Sequence, residues 1–208
     1  MNEPKLPQHL TETTWDRILA QEEWEAEQCL IESINFEEDE ACDLRFVQVI
    51  IRDCRLNNSS IKRLNALDVR FENCDLSNVD FSKSSIHRVV FERCKLVGTI
   101  FQGSSLGDVT FESCKMNFSL FNETRLKHVL FNQCDLEQSD FYAVTHQFLQ
   151  FEQCRLSGLQ MQQTDLTTLD LRSSQFTHLT VDLERLKGCR VNMEQALVLA
   201  SLLGIRVE

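Results

Sequence analysis

The stretch VRFENCDLSNVDFSKSSIHRVVFERCKLVGTIF, residues 69–101, decides the fold of this chain. Phenylalanine returns in it every ten residues, and cysteine returns after 20. The same order continues on both sides of the stretch. Large apolar residues fill nearly every position whose number ends in 1 or 6, and 12 of the 14 phenylalanines are among them. Six cysteines are each 20 residues apart, namely Cys54, Cys74, Cys94, Cys114, Cys134 and Cys154.

The repeating unit has five residues and reads small–polar–large–polar–polar. A helix would space its apolar residues three and four apart and a strand would alternate them, so neither fits as a continuous element. A period of five fits a chain that runs one short side and then turns. Four such sides make a coil of 20 residues, and residues 29–188 hold eight of these coils. The sequence therefore predicts an all-β solenoid in which each coil buries its inward residues against its neighbours.

A leucine-rich repeat is the rival interpretation, because its units can also be near 20 residues. That repeat has one strand and a long return without a five-residue sub-period, so the pattern disfavours it. Units such as CDLSN (74–78), VDFSK (79–83), CKLVG (94–98) and CDLEQ (134–138) resemble the pentapeptide-repeat family. The resemblance covers about 160 of 208 residues. It implies a right-handed quadrilateral β-helix.

Residues 1–28 are predicted to form an acidic capping segment at the N-terminus. Thr11 to Thr14, followed by Trp15 and Ile18, indicate an amphipathic helix that covers the first coil. Residues 1–43 hold 13 acids and two bases, whereas residues 44–208 hold 19 of each. The whole net charge of −11 therefore belongs to the N-terminal fifth of the chain.

Residues 189–208 are predicted to form a helix and a short strand. Asn192 with Gln195 has the pattern of a capping box, and Gly204 can end the helix. The helix is apolar on more than one face, so it needs a second partner besides the last coil. The tail LKGCRVNMEQALVLASLLGIRVE (186–208) resembles the C-terminus of the quinolone-resistance members of the family, the Qnr and MfpA types, which implies a helix that pairs two subunits. A cap over a monomer is the alternative. The predicted dimer interface is Leu197, Leu199, Leu202, Leu203, Ile205 and Val207.

The sequence points away from an enzyme. It has no C-x-x-C pair, Ser/His/Asp set, phosphate loop or metal motif, so no catalytic residue, cofactor or metal is predicted. The cysteines are expected to be free thiols, and the six in the column are expected to be buried and unreactive. His146 occupies an inward position and is expected to bond to a backbone group. No stretch is apolar enough for a membrane span and no signal segment is recognised, so a cytoplasmic protein is expected. The acidic composition argues against direct binding of nucleic acid.

Two outward features are candidate partner-binding sites. The first is an acidic ladder in which carboxylates follow an inward residue every 20 positions, with Asn132 interrupting it: Glu72, Glu92, Glu112 and Glu152. Stacked carboxylates repel one another, so the ladder either faces a basic partner or is neutralised by bases such as Arg70 and Arg93. The second is an apolar patch that either contacts a partner or is covered by the N-terminal segment: Ile100, Phe118, Leu120 and Tyr142.

The resemblance to the quinolone-resistance members implies a rod that imitates a DNA duplex, binds DNA gyrase or topoisomerase IV, and counters quinolones. The chain departs from this pattern in two ways. Qnr members carry loops that interrupt the coil, and here the five-residue register is uninterrupted, as in the MfpA type. The coil region is also neutral overall. A general protein-interaction scaffold, or an immunity protein against a toxin, remains the alternative, because a fold alone does not fix a function.

Overall fold

The computed structural model describes residues 1–20, 23–36 and 40–205. There the chain winds into a four-sided β-helix whose strands pair in parallel, 20 residues apart. The predicted all-β solenoid of about eight coils, with a helix at each end, is confirmed. The elements are β1 (Thr11–Thr13), α1 (Trp15–Leu19), β2 (Glu25–Glu27), β3 (Cys29–Glu32), β4 (Arg45–Arg52), β5 (Asn65–Glu72), β6 (Ser85–Glu92), β7 (Ser105–Glu112), β8 (Arg125–Asn132), β9 (Thr145–Glu152), β10 (Leu159–Gln160), β11 (Leu179–Thr180), a 3-10 helix (Leu183–Leu186) and α2 (Met193–Leu202).

The strands β4 to β9 have eight residues each and stack one on the next. Each covers two sides of its coil, because its fourth residue has a positive φ and turns the strand around a corner. The other two sides are joined by single parallel bridges, such as Asp75 to Lys95 and Ile100 to Leu120. The rod therefore has two continuous sheet-like faces and two faces with sparser backbone pairing.

The corners repeat a left-handed backbone conformation every five residues. Every described position that ends in 3 or 8 between Gln28 and Gln163 has a φ between +48° and +68°, apart from Gly158 at +78°. For a residue with a Cβ this conformation costs about 1–2 kcal/mol, and Asn and Asp tolerate it best. Most of the corners are held by residues other than glycine. After Gln163 the pattern ends, and the last coil contains the 3-10 helix instead.

Phenylalanine rings form two stacks inside the coil. In the first stack the ring centroids of Phe91 and Phe111 are 4.9 Å apart, and those of Phe111 and Phe131 are 4.8 Å apart. In the second, Phe101 and Phe121 are also 4.8 Å apart. These distances match the ~4.8 Å spacing of hydrogen-bonded strands. Identical rings can therefore stack without bending the backbone, and each such pair adds about 0.5–1.5 kcal/mol beyond its buried area.

Small inward side chains bond to the backbone of the preceding coil. The Cys94 thiol donates to the carbonyl oxygen of Phe71 at 3.4 Å, and the Cys114 thiol donates to that of Phe91 at 3.3 Å. Ser104 likewise donates to the carbonyl oxygen of Phe81 at 2.9 Å. The same 23-residue spacing holds in each case. The cysteine column is therefore part of the hydrogen-bonded interior, as well as of its packing.

The N-terminal segment caps the first coil in two ways. Helix α1 buries Trp15 and Ile18, and the Trp15 ring lies 4.7 Å from that of Phe36. Strand β1 pairs with β3 and so covers the open edge of the sheet. The predicted helical cap is present.

Residues 1–6, which we name the strap, also run along the outside of the rod. The Lys5 backbone N–H donates to Asp68 at 2.8 Å, and the Asn2 backbone N–H donates to Asp108 at 3.0 Å. Asp68 and Asp108 are two coils apart, or ~9.6 Å. Three extended residues span about 10 Å, which matches that distance. The strap therefore extends well beyond the first coil.

Helix α2 closes the C-terminal end. Asn192 and Gln195 form the predicted capping box, and Gly204, with a φ of +73°, ends the helix in the left-handed conformation. Gln195 is buried, and its side-chain amide donates to the carbonyl oxygens of Leu171 and Ser174 at 2.8 and 2.7 Å. The amide thereby satisfies backbone acceptors that have no further coil to pair with.

Candidate functional site

The interior of the rod is filled with apolar side chains. Among the residues that the structure describes, no group of three or more His, Cys, Asp or Glu side chains is arranged to hold a metal ion. Burial raises the pKa of the Cys94 thiol well above its ordinary value, and that of Cys29 to about 11. The His146 ring bonds through Nε2 to the carbonyl oxygen of Asp165 at 2.5 Å, as expected. Within the described ranges, no helix is long and apolar enough to cross a membrane. The candidate partner-binding residues lie on the outer faces.

The acidic ladder forms one column at the C-terminal ends of consecutive strands. Glu72, Glu92 and Glu112 are register partners, and Asn132 and Glu152 continue the column. The predicted stacking of these side chains is therefore present in the fold. Whether they carry a function depends on how their charges are compensated.

Arginines compensate the N-terminal half of the acidic ladder. Arg52 donates to Glu72 at 2.7 Å, and Arg70 bridges Glu72 at 3.1 Å and Glu92 at 2.7 Å. Arg93 also pairs with Glu92. Partial burial would raise the pKa of Glu72, but the hydrogen bonds from Arg52 and Arg70 outweigh burial, so its pKa lies below the ordinary value. This half of the ladder presents little net negative charge.

The C-terminal half of the ladder keeps its charge. Both carboxylate oxygens of Glu112 accept hydrogen bonds from the Asn132 amide at 3.0 Å, and an amide carries no charge. Among the described residues, no lysine or arginine lies within 4.0 Å of the carboxylates of Glu112 or Glu152. The carboxylates without a basic group within this distance are therefore those in the C-terminal half of the ladder.

The apolar patch lies on one of the sparsely bridged sides and the corner beside it. Ile100 and Leu120 are direct register partners and are half-buried. Phe118 is 58% exposed, and Tyr142 is 36% exposed. The hydrogen bonds of the strap lie on another corner, at Gln48, Asp68 and Asp108. The structure therefore places Ile100, Leu120 and Tyr142 on one side of the rod and Phe118 at the corner before that side, away from the hydrogen bonds of the strap.

Sequence reasoning missed a second exposed aromatic group. Phe148 is 64% exposed and its ring lies 4.9 Å from that of His128, on the corner that the strap follows. His128 in turn lies 3.5 Å from Asp108, which binds Asn2. A signal was available, because Phe118 and Phe148 are the two phenylalanines outside the inward register. Such residues have no core position to fill.

The residues of the predicted dimer interface divide into two groups. Leu197, Leu202, Leu203 and Ile205 are exposed, with fractions between 39% and 61%. Leu199 is half-buried and packs with Val198 against the core, so it belongs to the contact with the last coil. Ile205 is described but is not in a strand, and Val207 lies outside the described residues.

The middle of the rod matches a known protein family. A family model described as "Pentapeptide repeat region" matches residues 64–141, which form the middle of the β-helix. Residues 64–141 therefore form a pentapeptide repeat region. The five-residue register continues on both sides of the matched residues. A search of curated protein sequences finds no match.

Several solved structures of pentapeptide-repeat proteins resemble the chain. A trypsin-treated variant of QnrB1, a plasmid-mediated fluoroquinolone resistance protein, has a TM-score of 0.52 at 19% identity and covers 96% of this chain and 98% of its own. HetL from Nostoc sp. strain PCC 7120, involved in heterocyst differentiation regulation, has a TM-score of 0.41 at 14% identity, with coverage of 82% and 89%. At these identities the likeness to QnrB1 establishes the shared fold.

Proposed function

We propose that this pentapeptide-repeat protein binds a type II topoisomerase, DNA gyrase or topoisomerase IV, as a DNA mimic, and protects it from quinolones or similar poisons. The observation that carries the proposal is the uninterrupted rod of about eight coils, which shares its fold over nearly its full length with QnrB1. Binding is proposed as its whole activity, without catalysis and without direct contact to nucleic acid. The cytoplasm is the proposed compartment, because type II topoisomerases act there on bacterial DNA.

The dimensions of the rod support the mimicry. Eight coils at ~4.8 Å give a rod of about 38 Å. One turn of a DNA duplex spans about 34–36 Å, so the rod has the length of roughly one turn. Charges along one DNA strand are about 3.4 Å apart, whereas carboxylates on adjacent coils are ~4.8 Å apart. The rod therefore has about the length of one duplex turn. Its stacked carboxylates are spaced more widely than the charges along a DNA strand.

The mimicry rests on limited parts of the surface. Arginines compensate Glu72 and Glu92, so the ordered negative charge of the coil is concentrated at Glu112 and Glu152. Three described acids of the N-terminal fifth are also compensated, because Arg45 pairs with Glu25, Arg52 with Glu32 and Arg63 with Asp43. We therefore place the basic groups of the partner opposite Glu112 and Glu152.

The proposal includes a homodimer formed through α2. Leu197, Leu202 and Leu203 are exposed on a helix whose other side packs against the last coil. A second copy would cover these leucines, since a helix apolar on more than one face needs two partners. Pairing at this end would join two rods into a longer one and would double the length available to imitate DNA.

A supercoiling assay with purified gyrase and topoisomerase IV, with and without ciprofloxacin, tests the proposal. The protein should restore supercoiling in the presence of the drug, or inhibit the enzyme in its absence by occupying the DNA site. Neither effect over a wide range of protein concentrations would eliminate the topoisomerase interpretation.

Paired variants of the acidic ladder test which half takes part. Glu112→Gln with Glu152→Gln should weaken the effect on the topoisomerase about tenfold, because it removes the carboxylates that form no ion pair with a described lysine or arginine. Glu72→Gln with Glu92→Gln is the matched control, and it should change binding by less than threefold, since Arg52 and Arg70 already compensate these carboxylates. Equal losses in the two pairs would show that the ladder does not act as we propose.

A protein-interaction scaffold with another partner is the second candidate. The exposed Phe148 favours it, because large exposed aromatic groups are common at contacts between proteins. A scaffold of this kind would bind its partner without dependence on Glu112 and Glu152.

A further inference from the structure

Phe118 occupies a corner where the backbone disfavours it. Its φ is +62°, in the left-handed region that bulky residues rarely adopt. The equivalent corners on other coils carry residues that fit this conformation or are polar: Asn58, Asn78, Gly98, Gln138 and Gly158. At Phe118 the ring is mostly exposed, so its burial does not offset the unfavourable backbone. Neither the fold nor side-chain packing explains this unfavourable backbone conformation of Phe118. It therefore points to a role of Phe118 in function.

The surroundings of Phe118 leave its ring accessible. Ile100 and Leu120 lie beside it on two consecutive coils and are half-buried. On the preceding coil of the same column stands Gly98, which has no side chain to cover the ring. The result is a projecting aromatic group with an apolar base, which is the usual form of an interface hot spot.

The following coil adds negative charge on one side of the patch. It carries three carboxylates, those of Asp135, Glu137 and Asp140. Arg155 pairs with Asp135 at 3.1 Å and with Glu137 at 2.8 Å. Asp140 accepts hydrogen bonds only from neutral donors among the described residues, the Asn122 amide and the Tyr142 N–H. This border therefore keeps a net negative charge next to the aromatic group.

We propose that Phe118 is the anchor through which this chain docks on the topoisomerase, inserting its ring into an apolar pocket whose rim carries lysine or arginine opposite residues 135–140. The inference rests on the proposed function and adds the contact that provides most of the binding energy. It also separates two roles, because Glu112 and Glu152 supply charge on another part of the rod. Electrostatic attraction chiefly speeds association, whereas a buried aromatic anchor chiefly slows dissociation.

The substitution Phe118→Asn tests the anchor without unfolding the rod. Asparagine occupies the same corner at positions 58 and 78, so the variant should melt at the same temperature as the wild type or higher. Binding of the full-length protein to purified gyrase and topoisomerase IV is measured by surface plasmon resonance. We expect Phe118→Asn to weaken binding at least tenfold, mainly through faster dissociation.

Phe148→Asn is the matched control, because Phe148 has a φ of +57° and a similar exposure on a different corner. It should change the affinity less than twofold. The proposed anchor role of Phe118 is contradicted if the affinity of Phe118→Asn is within twofold of that of the wild type. It is also contradicted if Phe148→Asn loses as much affinity as Phe118→Asn. If the wild type binds neither enzyme, the proposed function fails and the anchor fails with it. Wild-type binding that Phe118→Asn leaves intact removes the anchor alone.

The charge on the rim has its own test. Asp140→Asn keeps an oxygen that can accept from the Tyr142 N–H, so the local turn is preserved. The variant should slow association two- to fivefold at low salt, and it should reduce the salt dependence of the rate. Faster association of Asp140→Asn would contradict the proposal that the rim of the partner's pocket is basic.

Discussion

At the small inward position of each unit, the residue type depends on whether the neighbouring backbone carbonyl groups need a hydrogen-bond donor. On the second side of β4 to β9 this position is valine in most coils, as at Val89 and Val109, because the strand ladder already pairs the backbone. On the sparsely bridged sides, and at the residue directly before each of β6, β7 and β8, it is mostly Cys, Ser or Thr, and most of these side chains donate to a carbonyl oxygen 23 residues earlier. Buried carbonyl groups need such partners. The cysteine column therefore answers a hydrogen-bonding requirement with a small apolar side chain.

Ser104 gives the sharpest test of this account. Its hydroxyl donates to the carbonyl oxygen of Phe81 at 2.9 Å and accepts from the N–H of Ser84 at 2.9 Å. Ser104→Ala should lower the free energy of unfolding by about 2–3 kcal/mol, because it leaves a buried N–H without an acceptor. Ser104→Cys keeps a donor and a weak acceptor, so it should cost about 1 kcal/mol.

Urea denaturation followed by circular dichroism measures both Ser104 variants. The m-value should stay constant, since the surface exposed on unfolding does not change. The account would be contradicted if Ser104→Cys were as destabilising as Ser104→Ala. The loss of stability would then come from the change in the size of the side-chain group and not from its hydrogen bonds.

Among the elements, the strap is held by carboxylates whose titration is perturbed. Partial burial would raise the pKa of Asp108, but hydrogen bonds from the Asn2 backbone and side chain, together with nearby His128 and His87, lower it below the ordinary value. At Asp68 burial is likewise outweighed, by hydrogen bonds from Arg88 and from the Lys5 N–H. Both carboxylates therefore bind the strap in their charged form.

The sign of these shifts predicts when the strap is released. A depressed carboxyl pKa gives stability that is fully present above the ordinary value near 3.8 and is lost as the pH falls through the lower value in the folded protein. In an NMR titration from pH 7 downward, the amide signals of Asn2 and Lys5 should therefore move only below pH 3.8. In Asp108→Asn the Asn2 signal should no longer titrate, while that of Lys5 still does. A midpoint above pH 3.8 would contradict the assignment.

The two ends of the chain show what the sequence could and could not predict. Helix α2 was predictable, because its cap is encoded locally by Asn192 and Gln195, three residues apart. The path of the strap was not, because Asn2 and Asp108 are 106 residues apart and no repeat relates them. The compensation of the Glu72 and Glu92 charges by arginines could be predicted only in part. Arg70 was recognised as a nearby base, but only its side-chain conformation decides that it bridges two carboxylates.

At the scale of the whole molecule, each coil is stabilised only by the coils beside it. Such an array must end in caps, since an uncovered last coil exposes unpaired backbone and apolar side chains. The two caps are unequal. Trp15 and Ile18 of α1 are both buried, whereas α2 leaves Leu197, Leu202 and Leu203 exposed after covering the last coil. The C-terminal end is therefore the one suited to a second copy.

Light scattering tests the dimer directly. The wild type should give about twice the chain mass of 24.2 kDa, and Leu203→Glu should give the mass of one chain, because a charge cannot be buried unpaired in an apolar interface. Leu183→Glu is the matched control, since Leu183 is also an exposed leucine but lies in the 3-10 helix and not in the predicted interface, and it should stay dimeric. A wild type that is monomeric at micromolar concentration would contradict the dimer. If Leu203→Glu stayed dimeric while Leu183→Glu did not, the interface would have to lie on the last coil instead of on the helix.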